Sequence, residues 1–142
     1  MAKFATGIYT PKFPEKYIGK GKPRFRSGWE MTMMMFLDND KHILYWASES
    51  VVIKYRHPLT GKYANYIPDF FVVYVNKHNQ QVAEIVEIKP KKQSIIESKA
   101  SNRDKVTVAI NHAKWTACAA YCKQQKLGFR VLTEEQIYHT GR

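Results

Sequence analysis

Three side chains that could take part in chemistry lie where two neighbouring β-strands would bring them together. Asp69 opens a run rich in aromatic and β-branched residues, which is typical of a strand. A second such run, residues 82–89, contains Glu87 and Lys89, which share one face because strand side chains alternate in direction. The polar segment between the two runs predicts a turn. We therefore predict a β-hairpin in which Asp69 meets Glu87 and Lys89 at one end.

Two carboxylates beside an ammonium group are suited to binding a divalent cation and a phosphodiester. Mg²⁺ prefers oxygen ligands and keeps several waters, so the carboxylates of Asp69 and Glu87 would suffice to hold it. A bound cation polarises the phosphate and makes water more acidic. Lys89 could then orient the attacking water or stabilise the charged transition state. The competing interpretation is a surface ion pair between Glu87 and Lys89 on a solvated strand face.

The pair Pro68-Asp69, followed by Glu87-Ile88-Lys89, resembles the motif of the PD-(D/E)xK nuclease superfamily. Further segments occur in the order found in the head-completion nucleases of T-even-like phages: RSGWE at 26–30, WASE at 46–49, IKY at 53–55, EIKPKK at 87–92, KW at 114–115 and FRVLTE at 129–134. The TnsA-type transposon-end endonucleases are similar more distantly. The long interval between the two halves of the motif departs from the usual pattern and requires a full hairpin.

The resemblance implies an α/β fold with a restriction-endonuclease-like core, in which a small mixed β-sheet is flanked by helices. It also implies a Mg²⁺-dependent DNA endonuclease, with Mn²⁺ as an alternative metal, that processes the packaged DNA end during phage head completion. The expected partners are double-stranded DNA and phage portal, neck or head proteins. The expected location is the host cytoplasm during assembly, with the virion as an alternative.

Other functions stay open at this stage. A TnsA-like or junction-cutting nuclease would use the same site, usually as a dimer or with a partner chain. A non-catalytic DNA-binding head–neck structural protein would have no need of an acid, acid, lysine set. An RNA-binding module is disfavoured because paired aromatic motifs are missing. The oligomeric state does not follow from the sequence.

Glu30 has two possible roles. Ser27 followed three residues later by Glu30 is a capping box, which predicts a helix to about Asp38 and a bond from the Ser27 amide to Glu30. The resemblance implies instead that Glu30 points into the metal site as a third acid, with a catalytic and metal-binding role. Glu49 is likewise either an acid of a loop or an organiser of the site.

The charge of the chain points to a polyanionic partner. A net charge of +11 and an isoelectric point near 9.7 favour nucleic acid. No apolar run approaches the roughly 20 residues that span a bilayer, so we expect no membrane association. Cys118 and Cys122 stand four apart in a helical pattern, which favours packing in a reducing compartment over a disulfide bridge.

The composition of residues 1–25 predicts an irregular basic N-terminal arm, which precedes a nuclease-like domain over 26–142. Proline and glycine interrupt the first segment, and its interleaved aromatic residues favour an arm that packs on something over a solvated terminus. We expect DNA contacts from basic residues in the arm, after the second strand and on a long helix: Arg24, Arg26, Lys91, Lys92 and Lys114. The alternative for each is a solvated or snorkelling side chain.

The remaining patterns complete the predicted order of elements. Residues 43–56 favour one extended segment, and 57–62 a turn. Helical spacing predicts the longest helix over 104–126, with Gly128 as its stop. A short strand over 129–132 and a terminal helix from Thr133 follow.

Overall fold

The computed structural model describes residues 6–90, 101–133 and 135. Within these ranges the chain forms two helices and eight strands, four of which make up a central mixed sheet. In chain order they are β1 (Gly7–Ile8), β2 (Arg24–Phe25), α1 (Gly28–Asn39), β3 (Ile43–Ser48), β4 (Ile53–Arg56), β5 (Tyr63–Tyr66), β6 (Phe70–Val75), β7 (Gln81–Ile88), α2 (Asn102–Gln125) and β8 (Gly128–Leu132). A short 3₁₀ turn covers Pro14–Lys16.

The central sheet has the strand order β3-β6-β7-β8. Both β3 and β7 run antiparallel to β6, whereas β8 runs parallel to β7. The parallel pair is joined through α2, as parallel strands require a crossover connection. The structure therefore confirms the predicted α/β fold with a small mixed sheet flanked by helices.

Each face of the sheet is covered by a different layer. Residues of α1 such as Met34 and Leu37 pack with Val86 and Ile88 of β7 on one face. On the other face, Ile85 packs with α2 and with the hairpin formed by β4 and β5. Because both faces are covered, the end of β7 is buried as an unbroken run from Ile85 to Ile88. Glu87 is therefore held in a buried strand and not on a solvated face.

The β6–β7 hairpin has the predicted position and register. Phe70 pairs with Val86, so that the next pair outward brings Asp69 beside Glu87. The turn contains Asn79 with φ +62°, a left-handed conformation that asparagine tolerates well. The split of Ile85 and Val86 between opposite core clusters confirms the predicted alternation of side chains.

The prediction of one extended segment over 43–56 is wrong. The chain leaves β3 at Glu49, whose φ of +50° is left-handed, and continues as β4 in a separate two-stranded sheet. The partner of β4 is β5, for which the sequence analysis predicted no strand. The break arises because β3 pairs with β6, whereas β4 turns away to pack on α2.

The capping signal predicted for α1 is present, whereas α2, for which no cap was predicted, begins at Asn102 and not at the predicted 104. Ser27 caps α1 by accepting a bond from the Glu30 amide, and Ser101 caps α2 by accepting one from the Asp104 amide. At the other end, α2 ends at Gln125, one residue before the predicted end at 126. Lys126, in a left-handed conformation, caps the helix, and the predicted stop residue Gly128 begins β8. Most of the predicted terminal helix lies outside the described residues. Neither described helix is long and apolar enough to cross a membrane.

Residues 9–18 pack against α1 and the edge of the sheet. The buried carboxylate of Asp38 accepts bonds from the Tyr9 hydroxyl at 2.6 Å and from the amides of Lys12 and Phe13 at 2.6 and 3.0 Å. Tyr17 stacks edge-on against Trp46 of β3, with ring centres 4.7 Å apart. This packing covers the β3 edge, while the division into an arm over 1–25 and a domain over 26–142 stays a prediction.

Candidate active site

Asp69, Glu87 and Lys89 are in contact at one end of the β6–β7 pair. The Asp69 amide donates to Glu87 Oε1 at 3.2 Å, and the Ile88 amide donates to Asp69 Oδ2 at 2.7 Å. Lys89 Nζ lies 3.5 Å from Glu87 Oε2. Each acid is thus held by the backbone next to the other acid, and the lysine closes the cluster.

The local sequence explains this placement. Pro68, which precedes β6, is buried. Because proline has no amide hydrogen to donate to a neighbouring strand, the regular pairing of β6 begins after it. Beyond the end of β7, the Lys89 amide still donates to the Leu132 carbonyl of β8 at 3.0 Å. That bond fixes the backbone of Lys89, while 28% of its side chain stays accessible. The ammonium group is therefore positioned at the surface of the cluster.

The electrostatic environment disfavours the ionised form of Asp69. Burial, followed by the negative charge of Glu87, raises the pKa of Asp69 well above its ordinary value. Glu30 adds repulsion, and the Ile88 amide and Lys89 offset these effects only in part. Glu87 itself is 2% exposed. A second negative charge beside Glu87 is therefore unfavourable unless further positive charge is supplied.

Glu30 serves as a helix cap and also lies close enough to act electrostatically on the acid pair. Its Oε1 accepts a bond from the Arg26 amide at 3.0 Å, not from the predicted Ser27 amide. Burial raises the pKa of Glu30, and the charges of Glu49 and Glu87 raise it further, against the opposing effect of Arg26. The capping interaction and proximity to the acids thus occur together, while the metal-binding role stays a prediction.

Glu49 borders the same cluster through its backbone and its side chain. Its amide donates to the Asp69 carbonyl at 2.9 Å, which ties the end of β3 to the start of β6. Its carboxylate forms a two-pronged ion pair with Arg26, at 3.2 Å from Nε and 3.1 Å from Nη2. A non-glycine residue in a left-handed conformation is uncommon and occurs often at functional sites.

Lys114 of α2 approaches the cluster from the face of the sheet that α2 covers. Its Nζ lies 5.8 Å from the ring centre of Tyr55 and 5.7 Å from that of Tyr66, within cation–π range. Burial lowers the pKa of Lys114, and the positive charge of Lys89 lowers it further, while Glu87 opposes both. This lysine is therefore held near the acids and is not simply a solvated side chain.

Tyr66 is a member of the site that the sequence analysis missed. Its buried hydroxyl has no hydrogen-bond partner among the described residues. Burial raises the pKa of Tyr66, and the adjacent Glu87 carboxylate raises it further. Two tyrosines within four residues, Tyr63 and Tyr66, just before Pro68 are the signal that could have indicated a strand carrying Tyr66 into the site, because aromatic residues are enriched in strands.

The remaining predicted DNA contacts are divided between the described and undescribed parts of the chain. Arg26 is exposed beside the acids, and Arg24 is exposed on β2. Lys91 and Lys92 lie outside the described residues. Their roles, like that of Lys114, stay predictions.

The carboxylates of Asp69 and Glu87 are the candidate ligands for a divalent cation. Mg²⁺ takes oxygen ligands and accepts one or two carboxylates together with waters. No group of three His, Cys, Asp or Glu side chains that could hold a metal occurs in the ranges the structure describes. Two convergent carboxylates nevertheless fit a hydrated cation of this kind.

Two comparisons with known proteins bear on the same region. The family model for the TnsA-like endonuclease N terminal domain matches residues 40–134, which include Asp69, Glu87, Lys89 and Lys114. The head completion nuclease of Enterobacteria phage T4 is 29% identical to this chain over 147 aligned positions. That alignment covers 96% of this chain and 95% of the phage protein. The resemblances noted from the sequence to head-completion nucleases and to TnsA-type endonucleases are confirmed.

Proposed function

Because the chain belongs to the TnsA-like endonuclease N-terminal family, whose fold is restriction-endonuclease-like, we propose that it is a divalent-cation-dependent endonuclease that hydrolyses DNA phosphodiesters. The observation that carries the proposal is the contact of Asp69, Glu87 and Lys89 at the end of β6 and β7. A purely structural ion pair would not require a second buried carboxylate, because a buried charge without a partner is costly.

Asp69 and Glu87 hold the cation in this proposal, and Mg²⁺ is the ion their oxygen atoms fit best. Glu30 completes the acid cluster by adding a third negative charge close to the pair. When bound, Mg²⁺ polarises the phosphate and offsets the charge that develops during hydrolysis. Mn²⁺ prefers similar ligands and is expected to substitute for it.

Lys89 is the residue that acts on the reacting groups. Its ammonium donates towards Glu87 and retains other protons for a water or a phosphate oxygen. In that position it orients the attacking water or stabilises the transition state. The Asp69 carboxylate keeps its place because the Ile88 amide holds one of its oxygen atoms.

The basic character of the chain supports duplex DNA as the substrate. Arg26 at the acid cluster and Lys114 beside Lys89 are placed to contact phosphates next to the scissile bond. Phosphate contacts of this kind supply affinity and register without reading sequence. Lys91 and Lys92, which follow the motif directly in sequence, are further proposed phosphate contacts.

The likeness to a head completion nuclease favours a role in phage assembly. We propose that this chain processes the end of packaged DNA while the head is completed, in the host cytoplasm or in the virion. Portal, neck or head proteins are then the partners that would present the DNA end. The high net charge suits an encounter with DNA during that step.

The proposal is tested by incubating the protein with supercoiled and linear duplex DNA, with Mg²⁺ or with EDTA. We expect metal-dependent cleavage by the wild type and none by Asp69→Ala or Lys89→Ala. Both variants should still bind DNA in a salt-dependent manner, because most phosphate contacts lie elsewhere.

The matched control is Asp40→Asn, which removes one carboxylate charge at the far end of α1. It should cleave like the wild type. DNA binding without cleavage, with Mg²⁺ and Mn²⁺ and on branched as well as linear substrates, would contradict the proposal. That result would instead favour a non-catalytic DNA-binding head–neck protein.

A further inference from the structure

The β4–β5 hairpin has one face that is buried and one that is not. Ile53, Tyr55 and Tyr66 point inward and pack against α2. The opposite face, here called the outer hairpin face, consists of Lys54, Arg56, Tyr63 and Asn65. All four are exposed. The inner face is enough to explain why the hairpin folds, but it does not explain the composition of the outer face.

The outer hairpin face is organised as two cross-strand pairs. Lys54 lies opposite Asn65, and Arg56 lies opposite Tyr63. The Arg56 guanidinium stands 5.1 Å from the ring centre of Tyr63, in cation–π geometry. This stacking restricts a long side chain that would otherwise lose entropy on binding a ligand. A basic group is therefore held in place at the surface.

The surroundings of this face are apolar and positively charged. Four of the exposed large hydrophobic residues belong to the hairpin and its flanks, namely Val52, Leu59, Tyr63 and Ile67, and Tyr63 is 68% exposed. No aspartate or glutamate occurs in the sequence from 50 to 68, while His57 and Lys62 add further donors at the turn. Positive charge that is clustered on one face without nearby acidic residues in sequence is typical of a contact surface for a polyanion.

The hairpin is joined to the acid cluster by two residues. Only Ile67 and Pro68 separate the end of β5 from Asp69. Six residues of extended chain from Tyr63 to Asp69 span at most about 20 Å. That length corresponds to about six base pairs of DNA, at 3.4 Å for each pair.

We infer that the outer hairpin face binds the phosphate backbone of duplex DNA, within about six base pairs of the bond that is cut. Lys54 and Arg56 neutralise phosphates, and Tyr63 holds Arg56 in its outward position. The inference rests on the proposed DNA substrate, but it concerns a surface apart from the acid cluster. A basic two-stranded ribbon of this size can follow a strand of DNA without reading its sequence.

The test is the salt dependence of binding to a duplex of about 30 base pairs, measured by fluorescence anisotropy in EDTA so that no cleavage occurs. The variant is Lys54→Thr/Arg56→Thr, because threonine suits a strand. We expect about tenfold weaker binding, and a plot of log affinity against log salt that is less steep by about 2.

The matched control is Lys41→Ser/Lys77→Ser, which removes two exposed lysines at the opposite end of the central sheet. It should leave the slope unchanged. The charge-conserving variant Lys54→Arg/Arg56→Lys should also keep the wild-type slope. If the double threonine variant unfolds, the single variants Lys54→Thr and Arg56→Thr decide the matter, since each should make the slope less steep by about 1. Equal slopes for the wild type and the threonine variant would overturn the inference, as would a loss of slope in the charge-conserving variant.

The proposed DNA-binding role of the hairpin and the proposed cleavage activity can be disproved independently. If the wild type binds DNA but never cuts it, the binding assay still decides the role of the hairpin while the proposed enzyme is lost. If the wild type cuts and Lys54→Thr/Arg56→Thr binds like it, only the hairpin inference falls. If this face contacts a protein instead of DNA, the threonine variant should bind DNA like the wild type.

Discussion

Asp38, at the end of α1, and Asp69, just before β6, are both covered by protein, but their carboxylates have different neighbours. Asp38 accepts bonds from one hydroxyl and two amides, and Lys16 lies close by. Asp69 accepts one amide bond and faces the carboxylates of Glu87 and Glu30. Burial alone therefore does not determine how either acid behaves.

The pKa values of the two aspartates shift in opposite directions. Burial raises the pKa of Asp38, but the bonds from Tyr9, Lys12 and Phe13 outweigh it and leave the pKa below its ordinary value. The pKa of Asp69 is raised by burial and by Glu87 together. Asp38 thus has its partners within the chain, whereas Asp69 lacks positive charge that a cation would supply.

The largest expected contrast is in catalysis. Asp69→Asn should lower the rate of DNA cleavage by about 1000-fold, because it removes a charged ligand at the reacting phosphate. Asp38→Asn, assayed at a temperature where it is folded, should cut at close to the wild-type rate. Single-turnover cleavage of a labelled duplex measures both. If the two variants lose the same factor in cleavage rate, the different environments of the two aspartates do not determine catalysis.

The second contrast is in stability. Asp38→Ala should lower the free energy of unfolding by about 3 kcal/mol, because it leaves several buried donors unpaired. Asp69→Asn should raise that free energy in metal-free protein, since it removes a buried charge and can keep the bond from the Ile88 amide. Urea unfolding at pH 7 in EDTA measures both changes. A destabilised Asp69→Asn would mean that Asp69 is also a structural anchor.

A divalent cation should sharpen the comparison. At ten times its dissociation constant, Mg²⁺ should stabilise the wild type by about 1.4 kcal/mol. The same titration should stabilise Asp38→Asn equally and Asp69→Asn hardly at all. Urea unfolding at several Mg²⁺ concentrations gives the result. Stabilisation that survives in Asp69→Asn would place the cation elsewhere.

The smallest expected effect is a difference in pH dependence. The folded-state pKa of Asp69 is raised, so its contribution to stability is present below about pH 4 and is lost as the pH rises through the folded pKa. The folded-state pKa of Asp38 is lowered, so its contribution is present above about pH 4 and is lost as the pH falls. The free energy of unfolding of the wild type minus that of Asp69→Asn should therefore decrease with rising pH. The corresponding difference between the wild type and Asp38→Asn should increase. Unfolding curves in EDTA across pH 3–8 measure both differences. If both differences change with pH in the same direction, the expectation is wrong.

The central part of the site could be predicted because it depends on local rules. Alternation along two strands and a polar turn are enough to bring Asp69 beside Glu87 and Lys89. The Ser27 cap likewise follows from a short motif. These features need only the neighbours of each residue in sequence, so they can be recognised without the structure.

The parts that could not be predicted depend on contacts between distant residues. Asp38 meets the amide of Lys12 across 26 positions, and no local signal marks that pair. Glu49 adopts a left-handed backbone without the usual glycine or asparagine, because its amide bonds to the Asp69 carbonyl. Tyr66 enters the site only through the pairing of β4 with β5. Tertiary packing decides each of these positions.

The most direct measurement would locate a bound metal in the protein. Fe²⁺ can take the place of Mg²⁺ at oxygen ligands, and ascorbate with peroxide then generates hydroxyl radicals that cut the backbone nearby. We predict fragments from cuts near 69 and 87, suppressed by excess Mg²⁺ and missing in Asp69→Asn. Cuts near 38, or a fragment pattern unchanged in Asp69→Asn, would contradict the assignment of Asp69 and Glu87 as the cation site.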